Sequence, residues 1–169
     1  MRTKASVTLL RSVTLTLFLL SAAQLFPATS SSKVTLRVET PTGVRTVTKK
    51  ELEALIVPGS ITVMNPEDRK IRTYVGFWLE DVLKICRFSK GEIYFICADG
   101  YTASLSQALV GRHQWLFAFG ERDGAWTLLN HKGQLLSPAP WYLVGTSTKS
   151  YQDLPWPYQV VGIRSYKNW

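Results

Sequence analysis

Alternating apolar and polar positions predict that most of this chain forms short β-strands. Val34, Leu36 and Val38 alternate with polar residues, which is typical of a strand with one buried face. The residues Pro41-Thr42-Gly43 then predict a turn, and so a hairpin with the next segment. Asp99-Gly100 and NHKG at 130–133 predict further turns, and SQALVGR at 106–112 predicts at most a single helical turn. Further strand-like segments, each bounded by turn or polar residues, are SITVM at 60–64, KIRTYV at 70–75, EIYFICA at 92–98, HQWLFAFG at 113–120, APWYLVGT at 139–146 and YQVVGIRSY at 158–166.

Two short helices are predicted between these strands. Thr48 and Glu51 have the spacing of a capping box, so the first helix is predicted to start at Lys49. The second is predicted over GFWLEDVLKICRF at 76–88. Its apolar positions recur at the helical spacing that forms one buried face: Leu79, Val82, Leu83 and Cys86. The predicted fold class is therefore α+β, mostly β with a few short helices.

The N-terminal residues have the pattern of a secretory signal peptide. Basic residues precede an apolar stretch at 13–26, and Ala28 and Ser30 suit positions −3 and −1 of a cleavage site. The stretch is shorter than the roughly 20 residues that a membrane span needs. We therefore expect residues 1–30 to be a signal peptide and residues 31–169 to be a single periplasmic or secreted domain, without a stable membrane span after cleavage.

The charge of the chain limits its partners. The chain has 20 basic and 12 acidic side chains, and three of the basic ones and none of the acidic ones lie before residue 31, so the exported part carries a net charge of +5. This charge is mild, and no run of Lys or Arg accompanies it. Binding of nucleic acid would need basic residues clustered on one element, so we expect no nucleic-acid partner.

Cys86 and Cys97 are the two cysteines of the chain. They form no CxxC motif, and His113 and His131 are too isolated to indicate a metal pair. A surface or hydrogen-bonded role is predicted for each histidine. Exported proteins often pair their cysteines, and a disulfide between these two would contribute about 3 kcal/mol by closing the loop that joins them. The alternative is a pair of buried free thiols that pack as small hydrophobic groups.

Four segments of the chain together resemble a known family. They are YVGFWLEDVLKIC at 74–86, IYFICADGYTASLS at 93–106, SPAPWYLV at 137–144 and WPYQVVGI at 156–163. Their succession resembles the sulfite-oxidase-like fold, also called the oxidoreductase molybdopterin-binding domain, and in particular its small exported members. The resemblance covers residues 34–166 and implies the fold of that family for residues 31–169.

The resemblance also implies residues for a site. In catalytic members of the family, a cysteine at the end of the corresponding strand binds molybdenum through its thiolate, and Cys97 falls at that place. A thiolate is a suitable soft ligand for such a metal. The residues that would line the molybdopterin pocket are Asp99, Tyr101, Arg112 and His113. Arg112 and His113 would donate hydrogen bonds to the pterin phosphate or to an oxyanion substrate.

The chain departs from the catalytic pattern, because ADGYTASLS at 98–106 contains no arginine. A large buried anion needs several convergent donors. Our first hypothesis is therefore a cofactor-free domain of this fold, an exported binding or accessory module beside a periplasmic redox or signalling partner such as a cytochrome. The alternative is a minimal molybdenum-dependent oxidoreductase with Cys97 as the metal ligand. The sequence leaves open whether the protein is an enzyme, and whether Cys97 is a disulfide partner, an inert thiol or a ligand.

Overall fold

The structure of the protein, a computed structural model, describes residues 34–88, 91–146 and 155–165. All of them belong to one unit of the chain, Ser31–Trp169. The signal peptide predicted at residues 1–30 lies outside the described residues. Within the described ranges, no helix is both long enough and apolar enough to cross a membrane.

Strands account for 49% and helices for 15% of the described residues, which confirms the mostly-β, α+β class. The helices are α1 (Lys49–Glu53), α2 (Leu79–Ile85) and α3 (Gln107–Arg112). The strands are β1 (Thr35–Thr40), β2 (Gly43–Thr48), β3 (Gly59–Met64), β4 (Ile71–Trp78), β5 (Glu92–Cys97), β6 (Thr102–Ser106), β7 (Trp115–Glu121), β8 (Leu129–His131), β9 (Gln134–Leu136), β10 (Tyr142–Gly145) and β11 (Val160–Ser165).

The strands form two main sheets and a hairpin. The first sheet has the order β2-β1-β11-β5-β6, in which β1 and β11 are parallel and the other neighbours are antiparallel. The second has the order β10-β7-β4-β3 and is antiparallel throughout. The hairpin consists of β8 and β9. Because β11 lies between β1 and β5, the last described strand completes the centre of the first sheet.

One hydrophobic cluster takes side chains from both main sheets. The ring of Phe95 on β5 lies 6.4 Å from the ring of Phe117 on β7. Trp141 is fully buried and stacks on Phe117 with ring centroids 4.9 Å apart. Its indole nitrogen donates to the backbone oxygen of Thr35 at 3.0 Å. Large aromatic side chains contribute much of the apolar area that a core buries, so these rings hold the two sheets together.

The predicted cap of the first helix is confirmed, and the predicted start of the second helix is corrected. Thr48 Oγ1 accepts from the backbone N–H of Glu51 at 3.1 Å, the Glu51 carboxylate accepts from that of Thr48 at 2.6 Å, and α1 begins at Lys49 as predicted. The second helix begins only at Leu79, because residues 76–78 continue β4 and pair with β7. The predicted buried face is confirmed for Leu79, Val82, Leu83 and Cys86. A third helix, α3, extends what the sequence indicated as a single turn.

Gly76 allows β4 to approach β7 closely. A methyl group added at Gly76 would lie 2.4 Å from the backbone oxygen of Phe117 and 2.6 Å from the Cα of Ala118. Both obstacles are backbone atoms of a paired strand, so neither can move aside without breaking the sheet. Gly120, on β7, differs, since no heavy atom lies within 4 Å of a Cβ built there.

We expect the substitution Gly76→Ala to lower the free energy of unfolding by about 2–3 kcal/mol, because overpacking forces the two strands apart. Gly120→Ala is the matched control, and it should change stability by less than about 1 kcal/mol. Chemical denaturation followed by tryptophan fluorescence measures both values. Equal effects of the two substitutions would contradict the close approach described here.

Candidate functional site

A cavity of about 460 Å³ opens where β5 ends. Its walls come from four places: the β3–β4 loop, the β5–β6 turn, the β8–β9 hairpin and the segment before β11. We call it the Cys97 cleft, and its lining residues are Pro66, Glu67, Cys97, Asp99, Tyr101, His131, Lys132, Trp156, Pro157 and Tyr158.

The β5–β6 turn builds the first wall. The backbone oxygen of Cys97 accepts from the N–H of Gly100 at 3.0 Å, and Asp99 Oδ1 accepts from the N–H of Tyr101 at 2.9 Å. Gly100 has φ +87°, a left-handed conformation that glycine adopts without a steric penalty. The predicted Asp-Gly turn is therefore confirmed, and it brings the side chains of Cys97, Asp99 and Tyr101 to one cavity.

Aromatic residues before β11 form the second wall. The ring centroids of Trp156 and Tyr158 lie 6.0 Å and 6.4 Å from that of the buried Tyr142, each in an edge-on arrangement. The backbone N–H of Leu143 on β10 donates to the oxygen of Pro157 at 3.0 Å. This wall is thus fixed by β10 through both its backbone and its side chains.

The β3–β4 loop and the β8–β9 hairpin form the third wall. His131 Nδ1 lies 2.9 Å from Glu67 Oε2, which confirms the hydrogen-bonded role predicted for His131. Lys132 and Gly133 follow, with φ +50° and +84°. Two successive left-handed residues are typical of a type I′ turn, so the predicted turn at NHKG is also confirmed. The hairpin places an imidazole beside the Glu67 carboxylate and brings Lys132 to the same cavity.

Asn65 connects the cleft to the buried interior. Its Nδ2 donates to the hydroxyl of Tyr74 at 2.7 Å and to that of Tyr142 at 3.2 Å. Its Oδ1 accepts from the backbone N–H of Glu67 at 2.8 Å. Burial raises the pKa of Tyr74 to about 12 and that of Tyr142 well above its usual value, so both hydroxyls stay neutral. One buried amide therefore supports both the Glu67 loop and the tyrosine behind the aromatic wall.

Burial and carboxylates keep the Cys97 sulfur in its thiol form. Burial, and then the Asp99 carboxylate, raise the pKa of Cys97 to about 11. Burial, followed by Glu67 and Asp99, also raises the pKa of Tyr158. A reactive thiolate needs a cation or a helix N-terminus beside it. The cleft instead surrounds this sulfur with apolar and acidic groups, so the unliganded side chain is an unreactive thiol at neutral pH.

Arg112 and His113, which the resemblance implies for the pocket, do not line the Cys97 cleft. They line a separate groove that also holds Glu80 and Asp81. The reason is topological: β6 returns antiparallel to β5 and brings Ser106 opposite Glu92, at the other end of β5 from the cleft. The helix that carries Arg112 starts from that far end. Of the implied residues, the structure gathers only Cys97, Asp99 and Tyr101.

Most of the cleft was missed by reasoning from the sequence. Glu67, His131, Lys132, Trp156 and Tyr158 stand in separate stretches of the chain, and no motif links them to Cys97. One indication was present, since tryptophan and proline residues before the last strand are suited to a binding surface. Their proximity to the cysteine depends on tertiary pairing: the N–H of Ala98 donates to the backbone oxygen of Gln159 at 2.9 Å.

Both cysteines are free thiols in the structure, which therefore does not contain the disulfide that the sequence left open as one alternative. Cys86 ends α2 and lies beside Arg45, whose effect opposes the rise in the pKa of Cys86 caused by burial. Cys97 lies at the far end of β5, five residues beyond the start of that strand at Glu92. Two strands, β1 and β11, lie between β5 and β2, the strand that carries Arg45.

The side chains of the cleft do not fit an anionic molybdopterin. Among its described lining residues, Lys132 is the single permanent cation, while Glu67 and Asp99 are acidic. A pterin phosphate would need several cationic or N–H donors in place of these carboxylates. Nor do three His, Cys, Asp or Glu side chains converge as metal ligands anywhere in residues 34–88, 91–146 and 155–165.

The raised pKa of Cys97 can be measured in a Cys86→Ser variant. We expect its rate of alkylation by iodoacetamide to rise with pH up to about 11, because the reactive thiolate forms only there. Asp99→Asn should lower that midpoint, whereas Asp123→Asn, an exposed carboxylate outside the cleft, should not. A midpoint below the ordinary pKa of cysteine would contradict the burial of this thiol beside Asp99.

The absence of a disulfide is tested separately. Wild-type protein unfolded without reductant should release two thiols per chain.

No protein-family model matches the chain, and no curated protein matches it either. Any inference about function therefore rests on the residues of the cleft. The cavity is lined by three tryptophan or tyrosine side chains, two prolines, a neutral thiol, two carboxylates, one hydrogen-bonded imidazole and one lysine.

Proposed function

We propose that this protein is an exported binding module that holds a small ligand in the Cys97 cleft and contains no molybdenum cofactor. The observation that carries the proposal is the composition of the cleft, which combines aromatic and prolyl walls with a few polar side chains. Cavities of about 300–1,000 Å³ with such linings are typical small-molecule sites. The neutral thiol of Cys97 would then contribute apolar contact rather than chemistry.

Preorganisation of the walls supports a role in binding. The hydrogen bond between Leu143 and Pro157 fixes the aromatic wall, and the Asn65 amide fixes the loop that carries Glu67. The Asp99–Tyr101 bond closes the turn on the other side. A ligand that enters such a cleft orders few protein groups, so less of the interaction free energy is lost on binding.

The charge of the cleft supports the cofactor-free form of the proposal. A bound pterin phosphate would bring negative charge next to Glu67 and Asp99, with Lys132 as the one compensating cation among the lining residues. Uncompensated buried charge is strongly destabilising. The two other basic or imidazole groups that the resemblance implied, Arg112 and His113, lie in a different groove.

The cellular setting of the proposal comes from the sequence. The resemblance to the oxidoreductase molybdopterin-binding fold and the N-terminal pattern of basic and apolar residues support an exported accessory module in periplasmic redox or signalling. A periplasmic redox protein such as a cytochrome is the partner that this setting favours. This step is an argument by analogy from fold to function.

A minimal molybdenum-dependent oxidoreductase is the second candidate. One observation favours it: Cys97 ends a strand and lines a cavity next to the Asp99-Gly100-Tyr101 turn. Metal binding would have to displace the proton from a thiol whose pKa is about 11, and cationic groups for the pterin would have to come from outside the described lining.

Metal analysis separates the two candidates. We expect protein purified from the periplasm of a molybdopterin-producing host to contain no stoichiometric molybdenum and no extractable pterin. The Cys97→Ser variant should have the same metal content as the wild type, because the cysteine is not a ligand. A molybdoenzyme purified from the same cells is the positive control. Molybdenum at one atom per chain, lost in Cys97→Ser, would overturn the proposed function.

A further inference from the structure

We propose that the Cys97 cleft binds small organic ammonium cations, in which a positively charged nitrogen carries apolar substituents. This inference names the ligand class of the binding module and rests on the proposed function. It depends on two features of the same cavity: three aromatic side chains and two carboxylates.

The aromatic side chains provide the surface for the cation. Trp156 and Tyr158 are partly buried on one wall, and Tyr101 is 57% exposed on the β5–β6 turn. Aromatic faces attract cations through the negative potential over the ring, and tryptophan and tyrosine do so best. Methyl or methylene groups on the nitrogen also gain apolar contact there, which a bare metal ion does not.

The carboxylates provide the charge. Glu67 Oε2 faces His131, and Asp99 Oδ1 accepts from the backbone N–H of Tyr101. In the described part of the chain, the second oxygen of each carboxylate accepts no hydrogen bond. Both groups act on the same space, since each raises the pKa of Tyr158. A cation that enters the cleft meets two acidic groups at close range in partly buried surroundings, where charges interact more strongly than in water.

Lys132 weakens the negative potential of the two carboxylates but does not cancel it. The residue lies on the exposed turn of the β8–β9 hairpin, and a lysine side chain keeps its ammonium group in water while its methylene groups cover apolar surface. An anion in the cleft would have this lysine as a partner, yet it would also face both carboxylates. A neutral apolar ligand would use the rings but bring no positive charge to the two carboxylates.

Three isosteric probes test the ligand class by nuclear magnetic resonance. Choline carries the cation, 3,3-dimethylbutan-1-ol replaces its nitrogen by carbon, and 3,3-dimethylbutanoate in addition has a carboxylate in place of the hydroxymethyl group. The readout is the indole N–H signal of Trp156, assigned through Trp156→Phe, together with the backbone N–H signals of Cys97 and Tyr101. We expect choline to shift these signals with a dissociation constant about tenfold or more below that of the alcohol, and the carboxylate to shift none of them.

Matched variants locate the effect. Asp99→Asn and Tyr158→Leu should each weaken choline binding about fivefold to tenfold, since one removes charge and the other an aromatic face. Asp123→Asn removes a carboxylate outside the cleft and should leave binding unchanged. Native-like dispersion of the amide spectrum shows that each variant is folded, and the two cleft variants test the proposal independently.

Each outcome decides the proposal. Tighter binding of choline with loss in both cleft variants supports it. Equal binding of the alcohol, preference for the carboxylate, or no shift with any probe overturns the cation specificity. None of these results bears on molybdenum content. The metal analysis therefore tests the cofactor-free function independently of the ligand class.

Discussion

The second sheet and the Cys97 cleft both depend on the hydrogen bonds of one buried side chain, Asn65. Its amide nitrogen joins the hydroxyls of Tyr74 and Tyr142, which belong to different strands, and its oxygen holds the N–H of Glu67. Tyr142 in turn packs edge-on against Trp156 of the aromatic wall. Buried polar groups are strongly destabilising when they lose a partner, so this set of bonds determines both the packing of the second sheet and the shape of the cleft.

The chemistry of the cleft follows from where β5 stops. Because Cys97 is the last residue of the strand, its side chain is buried on the core side but still reaches the cavity. The turn that follows supplies Asp99, and a carboxylate beside a buried thiol disfavours the thiolate. The same carboxylate favours a cation. One turn thus makes the cysteine unreactive and makes the cavity suitable for a positively charged ligand.

Local patterns predicted the elements, whereas the site required tertiary information. The capping box at Thr48 and the Asp99-Gly100 turn are local, and the structure confirms both. The predicted start of α2 at Gly76 is too early, and the helix begins at Leu79. A glycine is needed at position 76 because β7 passes close to it, not because a helix begins there. Both faces of EIYFICA are apolar in sequence, so the burial of Cys97 was not predictable. His131 joins the cleft through its contact with Glu67, 64 residues away in the chain, and the sequence carries no sign of that.

The central claim is that the Cys97 sulfur is an uncoordinated thiol in a ligand-binding cleft. A crystal structure of the protein purified from its native host, with diffraction data collected above the molybdenum absorption edge, tests this claim most directly. The account predicts no anomalous peak at Cys97 Sγ and density for a small organic molecule or solvent between the aromatic wall and Asp99. A strong anomalous peak bonded to that sulfur would contradict it.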